Sequence, residues 1–263
     1  MRRKTTTAIA VALLGLSLAA AGCSSGSNSP SGESSPAETK TVTVFAAASM
    51  KTTFTELGKT FEASHEGTKV TFNFAGSQTL AEQITQGAPA DAFASANADN
   101  MKTVTDAGLN AAEPKMYATN QLEIAVPPDN PANIASFKDL ADKDVKLVVC
   151  APVVPCGAAT EKVEKATGIT LSPVSEEQAV TDVLAKVQAG EADAGLVYKT
   201  DVLSAGETVK GVPFPESSEA INQNSIVALK GGPQAALGQE FVDLVLSSDG
   251  QKVLADAGFG PAQ

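Results

Sequence analysis

From residue 40 onward, short β-rich runs alternate with helical stretches, and this rhythm restricts the chain more than any other feature of its sequence. TVTVFAA reads as a buried strand, and the following MKTTFTELGKTFEASH carries Phe54, Leu57 and Phe61 at helical spacing. KVTFNF is a second strand ending at Ala75-Gly76, and QTLAEQITQG is a short helix stopped by Gly87. ADAFASA, QLEIAVPP and VKLVVCAP read as further strands, with helices expected over 157–167 and about 179–189. DAGLVYK and NSIVALK complete the strands, and a helical tail carries Phe241, Leu244 and Val245. Such alternation implies α/β layers with mainly parallel sheets, without deciding between one large sheet and two lobes. It does say where a ligand would sit: beyond the carboxyl ends of strands, at helix N-termini.

The segment before residue 40 bears on the compartment. Arg2, Arg3 and Lys4 are followed by an uncharged apolar run over 8–21 that ends in small residues. The run is too short for a comfortable transmembrane helix and has the build of an export signal. Ala20-Ala21-Gly22-Cys23 resembles a lipobox, with Ala20 where Leu is usual. Residues 1–22 are therefore expected to be a lipoprotein signal peptide, with Cys23 as the acylated new N-terminus. Residues 23–40 are rich in Ser, Gly and Pro with no recurring apolar position, which fits a disordered tether. The expected result is an extracytoplasmic body held at the cell membrane by a lipid anchor.

The full chain has 263 residues and is 43% hydrophobic, enough for one large or two medium cores. Its net charge of −11 argues against a nucleic-acid partner, which would call for clustered Lys and Arg. It also means that any bound anion must be captured by a local site, because the long-range field is repulsive.

The strand ends share a chemistry. TVTVF runs into Ala46-Ala47-Ala48-Ser49, and TFNF runs into Ala75-Gly76-Ser77, each with a helix behind it. Small residues let the backbone come close, and a hydroxyl stands at the helix start. Plain N-capping explains either serine alone; two at matching junctions favour a site. A third junction, Cys150-Ala151-Pro152-Val153-Val154-Pro155-Cys156-Gly157, puts proline before a helix and leaves first-turn N–H groups unpaired. A fourth lies near Val180. Tyr198 ends the strand DAGLVYK, where it is either a packing aromatic or a hydroxyl donor.

The pieces VFAAASM, FAGSQTLAEQITQGAPADAFASA, VPCG and QAVTDVLAKVQAGEADAGLVYKTD resemble the periplasmic molybdate-binding proteins of ABC importers, in that family's order. The resemblance implies a type II-like periplasmic-binding-protein fold. Each of its two lobes would be a mainly parallel sheet flanked by helices, joined by crossover strands. It places lobe I at 41–120 plus 214–263 and lobe II at 121–213. Carried over position by position, it implies ligand donors at Ser49, Ser77, Cys156, Val180 and Tyr198. The donors at Cys156 and Val180 are backbone N–H groups. Val180 fits only if its helix starts late; a capping box from Ser175 to Gln178 would place Val180 inside the helix, with its N–H occupied. The implied role is capture of molybdate, with tungstate indistinguishable, for a membrane permease, by a monomer without a cofactor. Molybdate is then a transported ligand, and no cation-binding metal site is expected.

The residue types suit that ligand. A fully deprotonated tetrahedral dianion accepts hydrogen bonds and donates none, so its site needs donors and positive helix ends. Sulfate is the alternative ligand on the same logic. With Cys23 lipidated, Cys150 and Cys156 remain as a pair in an oxidising compartment, where a disulfide is expected. An enzyme built on Cys156, Ser49 or Ser77 would need a base. The one histidine, His65, sits in the polar turn Ser64-His65-Glu66-Gly67, which suits a solvated surface residue.

Overall fold

The computed structural model describes residues 39–262, so the expected signal peptide, Cys23 and nearly all of the expected tether lie outside the described residues. The first half runs β1 (Lys40–Ala47), α1 (Lys51–Ser64), β2 (Thr68–Ala75), α2 (Ser77–Thr85), β3 (Ala92–Ser95), α3 (Ala98–Asp106) and β4 (Lys115–Asn120). The middle runs β5 (Leu122–Val126), β6 (Leu147–Cys150), α4 (Pro155–Thr167), β7 (Ser175–Glu177), α5 (Val180–Gln188), β8 (Ala194–Tyr198), α6 (Lys199–Ala205) and β9 (Lys210–Val212). The chain closes with β10 (Asn222–Ala228), α7 (Ala235–Leu246) and α8 (Ser248–Asp256).

These strands form two five-stranded sheets, ordered β2-β1-β3-β10-β4 and β7-β6-β8-β5-β9. Both sheets are mixed. The strand–helix units supply the parallel pairings β1–β2, β1–β3, β6–β7 and β6–β8. The strands next to the sheet-to-sheet crossings, β4, β5, β9 and β10, supply the antiparallel ones. The chain leaves the first sheet at Gln121 and returns between Val212 and Asn222 by way of a 3₁₀ segment, Pro215–Ala220. Within that return, Phe214 stacks on Phe137 at 5.3 Å and is buried with Ala220 in the second core, so 214–220, expected in lobe I, packs with the second sheet instead.

Local sequence explains the layers. Along β1, Val42, Val44 and Ala46 are buried in one cluster, while Phe45 is buried in another with Phe93 and Val227, as alternation across a strand requires. The first cluster is covered by α1 through Phe54, Leu57 and Phe61, the residues spaced for it in the sequence. Phe241 of α7 meets Phe54 at 5.8 Å and Phe61 at 5.7 Å, edge on. The other face is covered by α2 and α3 through Leu80, Ile84, Met101 and Val104. The second sheet has one continuous cluster, including Leu147, Val148, Val183, Leu196 and Val197.

Each sheet carries the same pin. Asp91, directly before β3, accepts the N–H of Thr43 (2.7 Å) and that of Gln234 (2.6 Å). Asp193, directly before β8, accepts the N–H of Lys146 (2.8 Å). Thr43 and Lys146 are the residues just before the register pairs Val44↔Ala92 and Leu147↔Ala194. A carboxylate at that position fixes parallel register where the ladder begins.

Candidate functional site

The structure brings all five expected site residues to one cavity. Ser49, Ser77, Cys156, Val180 and Tyr198 line it together with Gly76, Ala96, Val154 and Pro155. Ser49 and Ser77 follow β1 and β2 of the first sheet; the other three come from β8 and the starts of α4 and α5 against the second. The site therefore lies at the carboxyl ends of strands from both sheets, facing one another.

Neither serine is a helix cap. Ser49 sits inside a 3₁₀ turn, Ala48–Met50, and its buried Oγ has no partner. Ser77 is the first residue of α2, where Gly76 is the N-cap and no side chain caps the helix. Its Oγ, in a wholly buried side chain, accepts the Ala96 N–H at 3.0 Å. One oxygen lone pair is thereby occupied, and the hydroxyl proton remains free to donate. Tyr198 is 1% exposed and its hydroxyl is likewise buried without a partner. Burial, with the neighbouring Asp201 charge, raises its pKa well above the ordinary phenol value, so it is a donor at neutral pH.

The backbone donors are where helix starts leave them. α5 begins at Val180, so the Val180 N–H belongs to the first turn and has no intrahelical acceptor. Ser175 lies in β7 instead of capping a helix, and its Oγ donates to Glu177 (2.6 Å). Cys156 is the second residue of α4, behind Pro155, with its N–H in the same condition. Its sulfur is bonded to Cys150, with the two Cα atoms 5.6 Å apart, which leaves no thiol for nucleophilic chemistry and ties β6 to the start of α4. Gly157 makes this junction possible, because a Cβ there would overlap the Ala151 carbonyl. The positive ends of α2, α4 and α5 thus converge on one point.

The cavity is small. About 10 Å³ is open to the centre of a water molecule; for a compact shape, adding the water's own radius gives a free sphere about 2.7 Å in radius. That is comparable with a single tetrahedral oxyanion whose oxygens reach hydrogen-bond distance of the wall. Closure is held by contacts between the two lobes: Gln78 Nε2 donates to the Gln178 carbonyl (2.9 Å), and the Thr52 and Ser204 hydroxyls meet at 2.9 Å. A Cβ on Gly76 would overlap the Gln178 carbonyl oxygen. Among the described residues, no charged side chain lines the cavity. The larger cleft beside it, about 440 Å³, shares Ser49 but is lined by Lys51, Asp201 and Asp256. Asp201 accepts the Tyr198 N–H (2.9 Å), and burial pushes its carboxyl up to about 7.

The sequence profile of the bacterial extracellular solute-binding proteins matches residues 42–260. The chain belongs to that family. As a solute-binding protein it is extracytoplasmic and not an enzyme, and no helix among the described residues is long and apolar enough to cross a membrane. It is 50% identical over 216 residues to the molybdate-binding protein ModA of Mycobacterium tuberculosis, covering 82% of this chain and 83% of that one. The fold matches the periplasmic molybdate-binding protein of Azotobacter vinelandii with a TM-score of 0.74, at 20% identity over 84% of this chain and 100% of that one. It also matches the sulfate-binding protein SubI of Mycobacterium tuberculosis with a TM-score of 0.69, at 18% identity over 84% and 87%.

Other residues of this solute-binding protein fall outside the cavity. Tyr117 is buried in the first core, its hydroxyl donating to Met50 Sδ (2.9 Å). His65 stacks on Phe61 with its Nε2 against Glu240 (2.8 Å), and touches none of the serines at the site. No group of three or more His, Cys, Asp or Glu that could hold a metal ion occurs among the described residues. Sequence reasoning missed Ala96, whose N–H sets Ser77, and Gly76, whose missing side chain lets the lobes meet. Both lay inside quoted motifs, but their roles depend on contacts made by distant segments.

Proposed function

We propose that this protein captures molybdate, and equally tungstate, outside the cytoplasm and delivers it to a membrane permease of the ABC type. The observation that carries the reading is the donor-only cavity: orphaned Ser49 and Tyr198 hydroxyls, the free Ser77 proton and two first-turn N–H groups, with no carboxylate on the wall. Such a set suits an ion that accepts at every oxygen and has no proton to give. A monohydrogen phosphate would leave its own proton unpaired there. The 50% identical molybdate-binding relative supports the same ligand.

In this reading Ser49 and Ser77 bind from one lobe, residues 41–120 plus about 221–263. Cys156, Val180 and Tyr198 bind from the other, residues 121–220, and the lobes hinge at the crossover segments. A ligand that touches both lobes favours the closed state by its differential contacts. Cys23 carries the lipid anchor, and the tether leaves the monomeric body free to reach the permease. Calorimetry with molybdate, tungstate, sulfate and phosphate tests the reading. Tight binding of the first two and weak binding of the others is expected; a preference for sulfate would replace the ligand.

A further inference from the structure

We infer that Asn222 is a positioning residue that couples the two halves of the anion site. This rests on the anion-capturing reading above. Asn222 opens β10, where the chain returns from the second sheet to the first, and its side chain is 7% exposed. Its carboxamide nitrogen has two hydrogens and two carbonyls to give them to: Ala96 at 2.9 Å and Pro155 at 3.4 Å. Ala96 belongs to the first lobe and Pro155 to the second.

Both acceptors lie one step from a ligand donor. The Ala96 N–H is the group that occupies the Ser77 oxygen and leaves the Ser77 proton for the cavity. With its carbonyl held by Asn222, Ala96 is fixed at both ends. The Pro155 carbonyl shares a peptide plane with the Cys156 N–H, and in a trans peptide the two point in opposite directions. Holding that carbonyl from behind therefore aims the N–H at the ligand and polarises it. The longer arm is the one that reaches from the first sheet to the start of α4. Asn222 touches no anion itself; it sets a hydroxyl in one lobe and an amide in the other from one nitrogen.

The test is Asn222→Ala and the isosteric Asn222→Asp in the full chain, with the exposed neighbour Gln223→Ala as control. Molybdate affinity, association and dissociation rates and the ligand-free melting temperature are measured for each. The expected result for both Asn222 variants is affinity about ten-fold weaker. The loss should lie in faster dissociation, with association unchanged and the control at wild-type values, while ligand-free melting falls modestly because the buried Ala96 bond is lost in every state. An affinity unchanged in Asn222→Asp, or a loss that lies in slower association instead of faster dissociation, overturns the inference while the wild type still binds. A wild type that binds none of the four oxyanions removes the functional reading, and this inference with it.

Discussion

The two lobes are built on one plan and furnish the site with different chemistry. In each sheet a leading strand pairs in parallel with two neighbours, and an aspartate before the third strand pins the register. The three strand ends then face the cavity in matching places, with Ser49, Ser77 and Ala96 on one side and Cys156, Val180 and Tyr198 on the other. Two of the three positions offer side-chain hydroxyls in the first lobe and main-chain N–H groups in the second. The plan fixes where donors stand; the local sequence decides whether a side chain or the backbone supplies them. Substitution should therefore damage the first lobe's contribution more easily than the second's.

The comparison breaks most sharply at Ser77. Ser77→Ala removes a donor and strands the buried Ala96 N–H, and molybdate affinity should fall about a hundred-fold by calorimetry. Ser49→Ala and Tyr198→Phe should each cost about ten- to a hundred-fold, while Tyr117→Phe leaves affinity unchanged. Equal affinities for the two tyrosine variants would show that Tyr198 does not touch the anion.

The pins should differ in size. Asp91 is fully buried and accepts two N–H groups, whereas Asp193 is half-buried and accepts one. Asp91→Ala should lower stability by about 1–3 kcal/mol more than Asp193→Ala in urea denaturation. Similar losses would mean that the two lobes are pinned alike.

Asp201 gives the second lobe a pH dependence through a buried carboxylate beside the site. Its folded pKa, about 7, lies above its ordinary value, so the folded state holds the proton more tightly than the unfolded state. Its contribution is fully favourable below about pH 4 and is lost as pH rises towards 7. Lys51 and Asp256 are the other charged groups lining that cleft. Asp201→Asn should stabilise the ligand-free protein at pH 8 relative to wild type, with the gain shrinking as pH falls to 5. A constant difference in melting temperature across that range would remove Asp201 as its cause.

The smallest effects belong to the backbone donors. Cys156→Ala and Val180→Ala keep their N–H groups, and affinity should change less than about three-fold. A loss in either as large as in Ser49→Ala would mean that the side chain, not the main chain, makes the contact.

The plan of the fold was legible because the buried strands carry it in their own residues, as in TVTVF and AGLVY. The residues that the structure brings to one cavity were named from small residues and proline at strand ends, joined to a family resemblance. The short pieces escaped notice. β7 is three residues of Ser and Glu, and β4 mixes Lys, Thr and Asn with Tyr117, so neither shows a period of two. The uncertainty over Val180 had the same origin. Whether Ser175 caps a helix or pairs in a strand is decided by β6 alongside it, where Val148 is its register partner. Asn222 was invisible as a site residue because its partners lie 126 and 67 positions away.

Gly76 carries a consequence for selectivity. At this point the lobes meet main chain to main chain, with the Gln178 carbonyl seated where a Cβ would stand. A contact of that kind does not yield as a side chain would by changing rotamer, so it acts as a mechanical stop with a fixed gap behind it. An ion smaller than the gap cannot draw the lobes closer and is left with stretched hydrogen bonds. A larger ion wedges the stop open and forfeits the Gln78–Gln178 bond. On the anion-capturing reading proposed above, discrimination among oxyanions of equal charge becomes a measurement of radius by rigid backbone, and one added methyl at residue 76 should recalibrate it towards larger ions.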